Sequence, residues 1–175
     1  MEARKQHTGH AQSSQPGHAM SDHGAANGHQ YGKLAIMSVL SFISMYVLMY
    51  SMVDRFANVI PNVNQFYMAG LMTMPMIIIE VLVMSAMYMD KRRNALIIAV
   101  SAIALVSFFL LIRQQGFVGD KEFAKSMIPH HAAAILMAKE AKLTDPELQK
   151  LQQDIITAQE KEIKQMKDKL AELNK

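Results

Sequence analysis

The chain has 175 residues, 51% of them hydrophobic, with 16 Met, no Cys and a formal charge of +3. Without Cys there is neither a disulfide framework nor a thiolate metal site. Nor does the charge indicate nucleic-acid binding: from residue 114 onward ten Lys meet ten Asp and Glu, and the excess lies upstream, chiefly in Lys91-Arg92-Arg93.

The apolar residues are concentrated between positions 34 and 112, which divides the chain into 1–32, 33–113 and 114–175. Residues 1–32 are mostly Gly, Ser, Gln, Ala and His, a composition too poor in large apolar side chains to fold, and are expected to be disordered. His7, His10, His18, His23 and His29 stand there at irregular spacing. Such a tract either holds a metal ion loosely or is a solvated tail. The apolar run that follows starts too late and lasts too long for a cleavable signal peptide.

Leu34 to Val53 is a stretch of 20 residues without a charge, enough to cross a hydrocarbon core of about 30 Å. A connection containing Asn58, Pro61, Asn62 and Asn64 leads to a second span, 66–89, interrupted only by Glu80. Asp90-Lys91-Arg92-Arg93 reads as a polar turn before a third span, 94–112, which ends at Arg113. Several tyrosines stand near span ends, as interfacial aromatics do. The second connection carries three basic residues and the first carries one. The positive-inside rule therefore places Lys91-Arg92-Arg93 and the N-terminus in the cytoplasm, and the region after Arg113 outside. Arg113, Lys121 and Lys125 run against a simple count, but the rule is weaker across a long translocated segment. The expected location is multi-pass in the inner (cytoplasmic) membrane, with the C-terminal domain extracytoplasmic.

In the second span Met68, Met72, Met76, Glu80, Met84 and Met87 follow one another at helical steps, and Met37, Ser41, Met45, Met49 and Met52 do so in the first. Antiparallel packing sets Met45, Met49 and Met52 beside Met68, Met72 and Met76. Such a seam is either a path for a soft cation or ordinary packing by adaptable side chains. A carboxylate near mid-bilayer costs about 2.5–3.5 kcal/mol on insertion scales, which marks Glu80 either as a residue facing a bundle interior with a role there or as one that is protonated and simply hydrogen-bonded.

Beyond a linker at 114–119, Asp120 opens a helix that continues to about Lys142, with Pro129 either ending or kinking it. Leu143 to Glu147 is a turn, capped by Asp145 with Pro146 at the first helical position or by a Thr144/Glu147 box. The last helix runs from Pro146 to about Leu173 with a near-heptad apolar stripe. The fold class is thus all-α: three transmembrane helices followed by a helical hairpin. About sixty residues make a marginal folding unit. The stripe is expected to find a partner, by homo-oligomerisation into a four-helix bundle or by docking on the membrane helices.

The chemistry concentrates in this hairpin. Met127, His130, His131, Ala134 and Met137 fall on one broad helix face, and Gln159, Glu162, Ile163 and Met166 on one side of the next helix. Antiparallel packing brings imidazole, thioether and carboxylate together. Imidazole and thioether suit copper better than magnesium or calcium. The plainer explanation is a helix start at Pro129, with both histidines in its first turn and Met137 in the core.

At these residues the chain resembles the bacterial domain of unknown function 305 family. Its marks stand here as Met127-Ile128-Pro129-His130-His131, Met137-Ala138 and Gln159 to Met166, within about residues 118–173. The resemblance implies a ferritin-like helical domain, and some members are extracytoplasmic copper-binding or copper-tolerance proteins. Ala132-Ala133 replaces the usual Gln-Gly, Leu136 a usual Asp and Lys169 a usual aromatic. Loss of the Asp removes one hard ligand and favours a His/Met site.

The expected function is extracytoplasmic copper binding for tolerance, storage or handover, with silver as a second candidate ion. The ligands are expected among His130, His131, Met137, Met166, Met127 and Glu162. The cofactor is a copper ion, Cu(I) or Cu(II), and the partners are the lipid bilayer, further copies of the chain and other copper-handling proteins. Enzymatic activity is not expected: di-iron bundles use paired Glu-x-x-His motifs, and no Glu here is followed three residues later by His. A competing class is a structural scaffold whose C-terminal helices bind a partner without metal. A transporter built on the methionine seam is a variant of the first class.

Overall fold

The computed structural model describes residues 19–175, with side chains from Gly28 onward. Five helices form it: α1 (Ala19–Leu48), α2 (Val63–Val83), α3 (Lys91–Gln114), α4 (Asp120–Glu140) and α5 (Pro146–Leu173), and no strand occurs among the described residues. The segments Gly28–Met52, Val63–Val83 and Lys91–Gln114 are each apolar and long enough to cross a membrane.

The helix ends differ from the sequence expectation at several places. α1 begins at Ala19, so residues 19–32, expected as part of a disordered tail, belong to this helix; His7, His10 and His18 lie outside the described residues. At its other end α1 tightens into a 3-10 turn, Met49–Met52. α2 stops at Val83, six residues before the expected end of the second span at 89. Met84 and Met87 therefore leave the stripe for the turn that follows. Glu80 moves from the expected mid-span position to the last helical turn, close to the polar end of the bundle, where a carboxylate is less costly. Asp90 is the N-cap of α3, its carboxylate accepting the Arg92 and Arg93 N–H groups at 3.0 Å. The basic triplet is thus the first turn of a helix.

α2 lies between α1 and α3 and packs on both. The absence of a side chain at Gly70 lets the Phe108 ring come within 2.5 Å of where a Cβ would stand. Phe42, Phe66, Tyr67 and Phe108 interlock around that contact. On the α1 side, the Thr73 hydroxyl donates to the Ala69 carbonyl at 2.8 Å and lies 3.5 Å from the Met45 sulfur. This contact places Met45 of α1 against α2. At the basic end, the Tyr31 hydroxyl donates to Asn94 Oδ1 at 2.7 Å and stacks on buried Tyr88.

α3 runs into a tight turn with Gln115 and Phe117 at positive φ, 50° and 61°. The Tyr67 hydroxyl holds the turn through the Gly116 carbonyl at 2.9 Å. α4 and α5 then fold back on each other. Pro129 does not end α4; the helix runs through it with the ring buried. Asp145 caps α5 by accepting the Glu147 and Leu148 N–H groups at 2.9 Å, which settles the cap on Asp145 over Thr144. Gln152 Nε2 donates to the Ala138 and Ala141 carbonyls and so closes the exposed end of α4.

The hairpin core is Ala124, Ile128, Ala132, Ile135, Ile163 and Leu170. Val53 and Ile60, from the connection between α1 and α2, pack against it together with Met166. Lys167 Nζ donates to Asn58 Oδ1 at 2.5 Å and to the Ala57 carbonyl at 3.1 Å. Glu122 Oε2 accepts the Val63 N–H, at the start of α2, at 3.2 Å. Of the two ways to cover the hairpin's apolar stripe, docking on the membrane region is present within one chain.

Candidate functional site

Each wall of a cavity between α4 and α5 follows one helical face. On α4 it is Asp120, Phe123, Ala124, Met127 and His131; on α5 it is Glu162, Gln165, Met166, Lys169 and Leu173. Both sets step by three, four, seven and eleven, so one side of each helix faces the same space. The cavity measures about 480 Å³.

His131 is its most constrained group. Its side chain is almost fully buried, and both ring nitrogens are engaged. Nδ1 lies 2.8 Å from the Met127 carbonyl oxygen; a carbonyl carries no proton, so this nitrogen donates. Nε2 lies 2.8 Å from Glu162 Oε2, and Glu162 is half-exposed. With Nδ1–H committed to the backbone, Nε2 and the Glu162 carboxylate oxygen face the same point. A ligating His is ordinarily oriented by such a donation from its other nitrogen.

Of the six residues expected from the sequence, Met127, His131, Glu162 and Met166 line this cavity. His130 does not. Its ring centroid is 6.1 Å from that of His131 with the planes at 65°, and it lines a separate cavity toward the membrane helices. This follows from the 100° turn between successive helical residues. Met137 is 54% exposed and lines neither cavity. The broad face drawn through all five α4 residues therefore divides in two. Phe123, Gln165 and Lys169 were not singled out beforehand as parts of the site. The three-four-seven spacing from Met127 and Glu162 is the signal that reaches them. Lys169, at the mouth, is drawn aside by an ion pair with Glu172 at 2.8 Å.

Among the described residues no three His, Cys, Asp or Glu side chains come together. A metal ion held here would need thioethers beside His131 and Glu162. The nearby strut at Glu122 has its carboxyl held below the usual range, chiefly by the hydrogen bond from Lys125 at 2.8 Å and further by the Val63 N–H, while burial pulls the other way.

A family model described as "Domain of unknown function (DUF305)" matches residues 111–170. An uncharacterized protein of Acanthamoeba polyphaga mimivirus is 34% identical over 145 residues, covering 79% of this chain and 91% of that protein. An alignment of that length runs through the apolar helices as well as the hairpin. No solved structure matches.

Proposed function

The chain belongs to the DUF305 family, and on that premise we propose that it is a membrane-anchored binder of a soft metal ion, copper first and silver as its analogue. The observation that carries the proposal is the placement of His131. One ring nitrogen is tied to the backbone, the other faces Glu162, and the thioethers of Met127 and Met166 line the same cavity. This donor set fits copper by its chemistry: thioether favours Cu(I), imidazole accepts either oxidation state, and among the described residues no cluster of hard ligands competes.

In this mechanism Met127 contributes twice, its carbonyl orienting the imidazole and its sulfur lining the cavity. Glu162 offers one anionic oxygen, and Met166, half-buried against the hairpin core, a second sulfur. Copper supplies a soft, redox-active ion when bound. The chain supplies a site that excludes bulk water on the core side and opens at the α4–α5 groove. The basic first turn of α3 lies at the end of the bundle opposite the hairpin. By the positive-inside rule the hairpin then faces out of the cytoplasm, which suits metal tolerance, storage or handover to other copper-handling proteins.

Cu(I) titration of the full chain in detergent micelles tests this. His131→Ala should remove one binding equivalent, and Met166→Leu should weaken it by about 10- to 100-fold, as loss of groups supporting a metal site does. Unchanged affinity in His131→Ala overturns the proposal. A second explanation is favoured by one observation: Leu148 and Leu151 of α5 and Met137 of α4 are about half-exposed near the hairpin's free end. A scaffold that pairs with another copy there would oligomerise equally with and without metal, which light scattering of both forms decides.

A further inference from the structure

A second cavity, of about 440 Å³, lies where the hairpin meets the membrane helices. Its sulfur and nitrogen donors are Met49 and Met52 from the 3-10 turn, Met68 from α2, and Met127 and His130 from α4. We propose that Met49, Met52, Met68 and His130 hold a second soft monovalent cation, of the Cu(I) or Ag(I) class, with Met127 as the thioether between this site and the His131 site.

Three observations converge. The first is the donor set: none of the residues lining this cavity is Asp, Glu, Lys or Arg. A hard dication would enter without an anionic ligand to offset its lost hydration. A monovalent ion that binds neutral polarizable sulfur does not need one. The second is where the methionines stand. They come from separate elements, brought to one place by the 3-10 turn and the start of α2. The third is Asn64, which lines the same cavity. Its Oδ1 is buried without a hydrogen-bond partner among the described residues, while its Nδ2 is spent on Gln115 at 3.0 Å. A buried acceptor left in this state is a polar spot in the cavity wall that a water or a bound species would satisfy.

The site also accounts for the His-His pair. His131 serves the hairpin cavity and His130 the membrane-side one, and Met127 lines both.

This proposal does not need the His131 site, and the experiment separates them. The full chain in micelles, with methyl-13C methionine, is titrated with Ag(I), which is redox-inert. Two equivalents are expected, with the Met49, Met52 and Met68 methyl resonances shifting. Met49→Leu/Met52→Leu/Met68→Leu, a volume-conserving set, should lose one equivalent with unchanged helix content; His131→Ala should lose the other. If the triple variant keeps the wild-type stoichiometry and affinity, the second site is overturned. If it loses binding while His131→Ala keeps it, the second site stands and the hairpin site falls. Should the triple variant not fold, His130→Asn replaces it. A tenfold or greater weakening of one equivalent supports the site, and wild-type binding overturns it.

Discussion

The thioethers on α4 and α5 are chemically equal but unequally placed, and this gives a sharp test. Met166 lines the hairpin cavity beside Glu162, whereas Met137 stands in solvent. Met137→Leu should therefore leave Cu(I) affinity within a factor of about two of wild type, against the 10- to 100-fold loss expected for Met166→Leu. Equal losses in both would mean that the hairpin site is misassigned. Glu122 gives a second test at this scale. Its carboxyl is held below the usual range, so its contribution to stability is complete above the ordinary glutamate value of about 4.3. That contribution fades as pH falls through the depressed value, because the folded state must then take up the proton last. The thermal midpoint of wild type should drop as pH is lowered below about 4. Glu122→Gln should start lower at neutral pH and lose less on acidification. Parallel pH curves for the two proteins would remove Glu122 as the strut between α4 and the start of α2.

Between elements, contact is made by apolar surfaces that leave little slack. Ile128 is fully buried between α4 and α5, and Ile128→Ala should cost about 2–5 kcal/mol, the usual range for such a truncation in a core. Gly70 poses the opposite problem: any side chain meets the Phe108 ring. Gly70→Leu should push α2 and α3 apart at a cost of about 1–3 kcal/mol or more, read as a lower unfolding midpoint in micelles, while Gly119→Ala, with open space around it, should cost far less on packing grounds. The helices themselves were legible because hydropathy and the 3.6-residue period act locally. Their ends were less so. The sequence spacing runs on through Met84 and Met87 although the helix ends at Val83, because spacing along the sequence does not register where the backbone leaves the helix. The hairpin cavity was legible from Met127, His131, Glu162 and Met166 because two local faces suffice to build it. His130 and Met137 fall outside that cavity for one reason: a helix face wide enough to hold Met127, His130, His131 and Met137 turns too far to point at one place.

Across the whole molecule, the least legible feature is the hold of the membrane region on the hairpin, which depends on residues far apart in sequence. Lys167 reaches Asn58 and Ala57, and Val53 and Ile60 complete a core that α4 and α5 do not close alone. The ion pair of Arg55 with Glu160, 3.8 Å and exposed on both sides, contributes little; the weight falls on apolar cover. A fragment of residues 114–175 gives up that cover and uncovers the flank of the Ile128–Ile163 core. It should unfold at a lower temperature than the hairpin in the full chain, or self-associate to bury the flank, with a midpoint that rises with concentration. Ile60→Ala in the full chain should lower the hairpin's midpoint in the same direction, as a partial loss of the same cover. If the fragment is monomeric and as stable as the intact protein, the docking is incidental. The cavity between His130 and the outer methionines would then have no fixed shape in which to hold an ion.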